Sequence, residues 1–174
     1  PTVLVVGGSL GALTLNESIE QGLHDLNDRG IQLIWQTGKN FGDRGQQAAK
    51  GMKGVVVTKF ITDMASAYAA ADLVVSRAGA GSISELELLG KPAILVPSPN
   101  VSEDHQTKNA MALVAKKAAL MIPDAEAREK LVAEIVKAES DPALLKALSE
   151  NISKCAISNS DRRIADEVIK ILKK

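Results

Sequence analysis

Along the first two thirds of the chain, short runs of apolar, mostly β-branched residues alternate with longer segments whose apolar positions recur at helical spacing. The short runs predict buried strands, because a strand that is covered on both faces needs no polar side. These runs are 3–6, 31–35, 55–57, 73–75 and 93–96, with 119–122 as a sixth candidate. The helical segments between them are 13–26, 64–71, 83–89 and 109–115.

This alternation predicts an α/β fold, in which a parallel sheet is covered by helices on both faces. Right-handed crossovers then place the strand-to-helix loops along one edge of the sheet. Beyond Pro123 the alternation stops, and the spacing predicts three consecutive helices at 125–137, 142–153 and 162–172. Asp141 followed by Pro142 is typical of a helix start, and we expect Asp124 to cap the preceding helix in the same way. No repeat or linker composition interrupts the pattern, so one domain is expected.

The amino-acid composition argues against nucleic acids and acidic membranes as binding partners. Hydrophobic residues make up 45% of the 174 residues and charged residues 24%, which is the balance of a soluble globular domain. The 21 basic and 21 acidic residues cancel, so no net field attracts nucleic acid or an acidic membrane. Aromatic residues, at 2%, leave few platforms on which bases could stack. We therefore expect no nucleic acid partner.

Residues that build disulfides and metal sites are scarce. The single cysteine, Cys155, excludes an internal disulfide, and it lies in a helical pattern where a small core residue is expected. His24 and His105 are far apart in the sequence, which argues against a structural zinc site. These counts argue against a metal site built from cysteine or histidine, and they fit a reducing cytoplasm. We expect no metal and no cofactor. Because the chain opens directly in a strand-like run, we expect further residues before it in the full protein.

The loop at 7–12, Gly-Gly-Ser-Leu-Gly-Ala, lies between the first predicted strand and helix. Its glycines allow backbone N–H groups to approach a ligand, and the following helix adds the positive end of its dipole, so the loop suits a phosphate. A tight turn for close helix–strand packing is the alternative, and the loop alone does not decide between them. It does not match the dinucleotide fingerprint, because the first glycine would fall on Val6.

A second small-residue loop follows the fourth strand, and the next helix begins with Ser82, Ser84 and Glu85. Two such loops on one sheet edge favour a binding cleft between them. Glu85 has two candidate roles. Its spacing from Ser82 is that of a capping box, and its carboxylate could also accept hydrogen bonds from a pair of sugar hydroxyls.

Two further loops follow strands at the same predicted edge. After the fifth strand, Gln106 and Asn109 share one helical face, and amide side chains suit sugar hydroxyls. The alternative there is a solvated loop with Asp104 as the helix cap. After the third strand, a short extended segment could offer its backbone to a pyrimidine base. In that segment we interpret Asp63 as a helix cap and Phe60 as a core residue.

Together the four loops resemble those of the MurG-type UDP-N-acetylglucosamine transferases, which make lipid II on the cytoplasmic face of the membrane. Each motif is weak alone, but the four occur in the family's order and spacing over the whole chain. They are Gly7-Gly8-Ser9-x-Gly11-Ala12, Phe60-Ile61-x-Asp63-Met64, Arg77-x-Gly79-Ala80-x-Ser82-x-Ser84-Glu85 and Asp104-His105-Gln106-x-x-Asn109-Ala110. The resemblance implies that 1–174 form a Rossmann-like, UDP-sugar-binding domain, the C-terminal half of a GT-B glycosyltransferase.

The residues that the resemblance assigns to the UDP-N-acetylglucosamine site come from all four loops. They are Ser9, Leu10, Gly11, Ile61, Met64, Ala80, Gly81, Ser82, Ile83, Ser84, Glu85, Gln106 and Asn109. In this resemblance Ser9 and the N–H groups of Ala80, Gly81 and Ser82 would meet the diphosphate. No residue of this chain is implied to be catalytic.

The same resemblance implies how the nucleoside and the sugar would be held. The main chain of Ile61 would pair with uracil, and Met64 would pack nearby. Glu85 would hold the ribose hydroxyls. Gln106, with Asn109 close by, would contact the hydroxyls of N-acetylglucosamine.

The implied reaction is an inverting transfer in which an acceptor hydroxyl displaces UDP, converting lipid I to lipid II in peptidoglycan synthesis. Helix N-termini would stabilise the diphosphate without a metal, and the chain has no Asp-x-Asp motif. An N-terminal domain that this chain lacks would supply the general base and would contact the lipid-linked acceptor and the membrane. The full protein would then be peripheral on the cytoplasmic face of the bacterial inner membrane, and this fragment would bind donor with little or no turnover.

Two other functions stay open from the sequence. One is the donor domain of another GT-B transferase that uses a different UDP-sugar. The other is a standalone nucleotide-binding or regulatory domain. A measurement of which UDP-sugar binds best distinguishes the first from a UDP-N-acetylglucosamine transferase. The second is distinguished from both transferases by the absence of an acceptor domain in the full protein.

Overall fold

The computed structural model describes residues 1–100 and 104–156. Its strands are β1 Thr2–Val6, β2 Gln32–Gln36, β3 Val55–Thr58, β4 Leu73–Ser76, β5 Ala93–Leu95 and β6 Leu120–Met121. Its helices are α1 Leu13–Asp28, α2 Gly42–Ala48, α3 Met64–Ala70, α4 Ala80–Leu89, α5 His105–Ala115, α6 Ala127–Glu139 and α7 Pro142–Ser153, with a 3-10 turn at Asp124–Glu126. Within this part of the chain, no helix is both long enough and apolar enough to cross a membrane.

The six strands form one parallel sheet in the order β3-β2-β1-β4-β5-β6. The predicted parallel α/β sheet is therefore confirmed, and its strand order is that of a Rossmann-like fold. The chain adds β2 and β3 on one side of β1, and then crosses back to add β4, β5 and β6 on the other side. The loops that leave the carboxyl ends of β1 and β4 diverge at this point, which is where open α/β sheets bind ligands.

Hydrophobic cores lie on both faces of the sheet, because successive strand residues point in opposite directions. Val3 and Val5 face one core, which α1 and α6 cover, whereas Leu4 faces the other core, which α3, α4 and α5 cover. This two-sided burial explains why the strands are continuously apolar in the sequence. Helices α1 and α6 pack closely at Gly22, where a side chain would collide with Val132.

The predicted strands all exist, and each strand boundary agrees to within one residue. Helix α2, Gly42–Ala48, was not predicted, because its sequence GDRGQQA carries no apolar periodicity. Helices α4 and α5 begin three and four residues before the predicted starts, since small and polar residues fill their first turns. The predicted helix at 162–172 lies outside the described residues.

Two of the predicted helix caps behave differently. Asp141 caps α7 as expected, since its Oδ1 accepts a hydrogen bond from the Leu144 N–H at 2.9 Å. Asp124 was expected to cap a helix, and this is wrong. It begins the 3-10 turn, and its carboxylate is bound instead by the side chains of Thr14 and Arg77.

Candidate functional site

Two adjoining cavities open at the carboxyl edge of the sheet, between the loops that follow β1 and β4. The larger has a volume of about 550 Å³ and the smaller about 200 Å³. Both are lined by Val6, Gly8 and Ser82, so they are two compartments of one cleft. The cleft lies where the strand order diverges, as the fold predicts for a ligand site.

The larger cavity is lined by the β1–α1 loop and by the start of α4. Gly79 is the N-cap of α4 and makes no side-chain capping bond, and the first turn holds no acidic residue. The Ile83 N–H already donates to the Gly79 carbonyl at 3.0 Å, so the N–H groups that lack an intrahelical acceptor are those of Ala80, Gly81 and Ser82. Free N–H groups and a positive dipole end favour an anion at this point.

A buried ionic network borders the larger cavity. The Arg77 guanidinium donates to Asp124 Oδ1 at 2.5 Å, to the Val96 carbonyl at 3.1 Å and to the Pro97 carbonyl at 3.2 Å. The hydroxyl of Thr14 donates to the other Asp124 oxygen at 3.0 Å. The Arg77 and Asp124 side chains are only 17% and 16% exposed, and they neutralise each other. The network therefore joins the loops after β4, β5 and β6 to the start of α1.

The smaller cavity is mainly apolar, with one carboxylate. Ile61, Met64 and Tyr68 line it together with Glu85. The Tyr68 hydroxyl donates to Glu85 Oε2 at 2.9 Å. Burial and the neighbouring Glu85 carboxylate raise the pKa of Tyr68, so the phenol stays protonated at neutral pH.

The capping-box interpretation of Glu85 is wrong. Ser82 is the third residue of α4 rather than its N-cap, and Gly79 occupies the N-cap position. The Glu85 carboxylate accepts from Tyr68 of a different helix. This arrangement leaves the other carboxylate oxygen, Oε1, as an acceptor beside the smaller cavity.

In the segment after β3, one prediction is confirmed and one is wrong. Asp63 caps α3, and its Oδ1 accepts from the Ser66 N–H at 3.0 Å. Hydrogen bonds from the Ser66 side chain and backbone lower the pKa of Asp63. Phe60 was expected in the core but is 60% exposed and lies at the smaller cavity. Phe60 is a lone aromatic residue in a loop, so no hydrophobic periodicity could show whether it lies in the core or at the cavity.

Gln36 joins the two loops on the β1 side of the cleft, and no sequence pattern marks it as a site residue. Its side chain is almost fully buried at the end of β2. The amide nitrogen donates to the carbonyls of Gly8 and Lys59 at 2.8 and 3.1 Å, and the amide oxygen accepts from the Gly7 N–H at 3.1 Å. These bonds fix the glycine loop relative to the segment that carries Ile61.

The two amides of α5 hold the β4–α4 loop. Gln106 Oε1 accepts from the N–H groups of Ala78 and Ser98 at 3.2 and 2.9 Å. Asn109 Nδ2 donates to the Ala78 carbonyl at 3.2 Å. Gln106 also lines the larger cavity, and its NH₂ group bonds none of the described residues, so it can donate to a ligand. Asp104 occupies the N-cap position, but its carboxylate bonds the Thr107 hydroxyl and makes no capping bond to the backbone.

Comparison with known families agrees with this geometry. The family profile described as the glycosyltransferase family 28 C-terminal domain matches residues 2–168. The chain belongs to this family. The predicted resemblance to the C-terminal half of a glycosyltransferase is thus confirmed at the level of the family.

Two curated relatives are each named UDP-N-acetylglucosamine–N-acetylmuramyl-(pentapeptide) pyrophosphoryl-undecaprenol N-acetylglucosamine transferase. The protein of Phocaeicola vulgatus is 54% identical over 176 residues, which cover 99% of this chain and 47% of the relative. The protein of Porphyromonas gingivalis is 56% identical over 174 residues, which cover 99% of this chain and 46% of the relative. The chain therefore spans about half the length of the curated relatives it matches.

A solved structure gives the same result for the fold. The crystal structure of Acinetobacter baumannii MurG matches with a TM-score of 0.86 and 29% identity, over 97% of this chain and 49% of that chain. The prediction of a Rossmann-like half of a GT-B glycosyltransferase is confirmed by this match and by the family 28 assignment.

Most of the candidate site residues that were predicted from the sequence lie at the cleft. Those that line one or both cavities are Ser9, Gly11, Ile61, Met64, Ser82, Glu85 and Gln106. Those that line neither are Leu10, Ala80, Gly81, Ile83, Ser84 and Asn109. Leu10 and Ser84 are exposed, whereas the side chain of Ile83 is in the core. In residues 1–100 and 104–156, no group of three or more His, Cys, Asp or Glu side chains could hold a metal ion.

Proposed function

We propose that 1–174 form the donor-binding domain of a transferase that binds UDP-N-acetylglucosamine. The observation that carries the proposal is the pair of joined cavities at the switch point of the sheet. One compartment is lined by Gly79 and Ser82 at the N-terminus of α4, where helix N–H groups suit a diphosphate. The other has an apolar wall and a carboxylate suited to a nucleoside. We take the identity of the sugar nucleotide from the names of the two curated relatives.

In this proposal the ligand spans both cavities. The uracil lies in the smaller cavity against the Ile61 backbone, beside Met64, and Glu85 accepts hydrogen bonds from the ribose hydroxyls. The diphosphate passes Ser9 and Gly11 to the first turn of α4, where Ala80, Gly81 and Ser82 donate. The sugar enters the larger cavity near Gln106, with Asn109 holding the loop beside it. The loop residues Leu10, Ile83 and Ser84 complete the proposed set.

The proposed chemistry is an inverting displacement, the transfer of N-acetylglucosamine from UDP to a lipid-linked muramyl-pentapeptide. The acceptor hydroxyl attacks the anomeric carbon, its proton passes to a base, and UDP leaves with the bonding electron pair. Negative charge grows on the diphosphate, where fixed N–H dipoles stabilise it without reorganising. The acceptor, the base and contact with the cytoplasmic membrane surface are assigned to the half of the relatives that this chain does not cover.

Calorimetric measurement of ligand binding to the unmodified chain tests the proposal. UDP-N-acetylglucosamine and UDP should bind with a chelator present, and the C4 epimer of the sugar nucleotide should bind more weakly. Binding that appears only after magnesium is added would overturn the proposed diphosphate site. A clear preference for another UDP-sugar would instead indicate a different GT-B transferase.

A further inference from the structure

Tyr68 and Glu85 form a contact between two helices at the wall of the smaller cavity. Tyr68 belongs to α3 and is only 6% exposed, with its ring packed in the core on that face of the sheet. Tyr68 lines the smaller cavity, and its hydroxyl donates to Glu85 Oε2 at 2.9 Å. The phenol is therefore fixed by packing at one end and by a hydrogen bond to a carboxylate at the other.

This contact restricts the Glu85 carboxylate. Glu85 lies on the exposed side of α4, where a glutamate would otherwise exchange among several rotamers. A buried tyrosine hydroxyl needs an acceptor, and within the described residues the acceptor recorded for it is Glu85. A carboxylate has acceptor sites on both oxygens, so the bond to Oε2 leaves Oε1 for a ligand. Burial also raises the pKa of Tyr68, which keeps the hydroxyl a donor at neutral pH.

We propose that Tyr68 is a positioning residue, which holds the Glu85 carboxylate toward the smaller cavity and so sets the preference for a ribose over a deoxyribose. The inference rests on the proposed function, in which Glu85 accepts the ribose hydroxyls. Tyr68 itself need not touch the nucleotide. Its hydroxyl holds the Glu85 side chain in the rotamer that binds the ribose diol before the ligand arrives. Less conformational entropy is then lost on binding.

The experiment compares UDP with 2′-deoxy-UDP and 3′-deoxy-UDP by calorimetry in the presence of a chelator. The unmodified chain should bind UDP more tightly than at least one deoxy analogue. Tyr68→Phe keeps the ring and removes the hydroxyl, and it should reduce that preference roughly three- to tenfold, the change expected for loss of one hydrogen bond. Most of the reduction should come from weaker UDP binding.

Two further variants separate positioning from general damage. Ser66→Ala removes a different hydroxyl of α3, one that donates to the Asp63 carboxylate at 2.6 Å, and it should leave the ribose preference unchanged. Glu85→Gln should abolish most of the preference, and adding Tyr68→Phe to it should cause little further change. Thermal unfolding of each variant reports any loss of stability separately.

The outcomes distinguish the inference from the function on which it rests. If the unmodified chain binds UDP and its deoxy analogues equally, the ribose contact of Glu85 fails and the role of Tyr68 fails with it. If the chain prefers UDP and Tyr68→Phe keeps that preference, only the role of Tyr68 is overturned. Equal weakening of all three ligands by Tyr68→Phe, with a lower melting temperature, would show a structural role and would also overturn it.

Discussion

The two glycine-rich loops of the cleft are similar in composition but are held in different ways. In the β1–α1 loop, Gly11 has a φ of +80°, and a side chain there would collide with the Thr37 carbonyl oxygen. In the β4–α4 loop, Gly79 has an ordinary φ of −69°, and a Cβ at Gly79 or Gly81 would meet nothing within 4 Å. The first loop needs its glycine for the backbone fold, whereas the second keeps open space beside the cavity.

The same contrast appears in the side chains that support each loop. The β1–α1 loop is packed against its neighbours and is bonded by the buried Gln36. The β4–α4 loop is held at Ala78 by Gln106 and Asn109 of α5. A substitution in the first loop, which is packed against buried neighbours, should mainly lower the stability of the fold. A substitution of the α5 side chains that hold the second loop should mainly weaken ligand binding. The following predictions test that difference.

Gly11→Ala should produce the largest effect. Both the left-handed φ and the collision with the Thr37 carbonyl oppose a side chain at Gly11. The combined cost is about 2–5 kcal/mol of unfolding free energy, from the strain of the left-handed conformation and from overpacking. Urea unfolding measures it, with Gly81→Ala as the matched control. A Gly11→Ala chain as stable as the unmodified chain would remove the contrast between the loops.

Glu85→Gln should act mainly on the ligand. The amide oxygen can still accept from the Tyr68 hydroxyl, so the unfolding free energy should change little. UDP affinity should fall by about 1.5–3 kcal/mol, the range for hydrogen bonds to a charged group. Calorimetry and thermal unfolding measure the two quantities separately. Glu87→Ala on the same helix is the control, since Glu87 lines neither cavity.

If Glu85→Gln lowers stability and leaves UDP affinity unchanged, Glu85 serves the contact between α3 and α4 and not the nucleotide.

Gln106→Ala and Asn109→Ala form a matched pair for the second loop. Both remove a bond to Ala78, but only Gln106 lines the larger cavity. Asn109→Ala should weaken UDP and UDP-N-acetylglucosamine equally. Gln106→Ala should weaken the sugar nucleotide by a further ~0.5–1.5 kcal/mol and blur discrimination against its C4 epimer, since one neutral hydrogen bond to the sugar is lost.

Equal effects of both variants on both ligands would mean that Gln106 only supports the loop. Competition calorimetry with UDP, UDP-N-acetylglucosamine and the C4 epimer measures the difference directly.

Gly81→Ala should have the smallest effect on the fold. Gly81 is the second residue of α4 and has open space around it, so alanine should raise the unfolding free energy by up to about 1 kcal/mol. Because the new methyl group would lie beside the proposed diphosphate path, UDP affinity should not improve with stability. Parallel urea unfolding and calorimetry check both values. A destabilised Gly81→Ala chain would show that the second loop is also packed tightly.

The parallel α/β sheet and the position of the cleft could both be predicted from local patterns in the sequence. Strands buried on both faces must be continuously apolar, and the loops between strand and helix must carry the residues that can turn sharply, so both appear as local patterns. Val3–Val5 and the loop after them could be interpreted without any distant residue. The same is true of Asp63 and Asp141, because a helix cap bonds a backbone N–H only three residues away.

Which side chains bond to each other around the cleft could be seen only in the folded structure. Tyr68 and Glu85 are 17 positions apart, Ala78 and Gln106 are 28 apart, and Arg77 and Asp124 are 47 apart. Each pair joins elements that become neighbours only through the strand order of the sheet, and no local periodicity encodes that order. For this reason two capping interpretations were wrong. Ser82 is not the N-cap of α4, and the Glu85 carboxylate accepts from Tyr68 of α3. The Asp124 carboxylate is bound by Arg77 and Thr14 and caps none of the described helices.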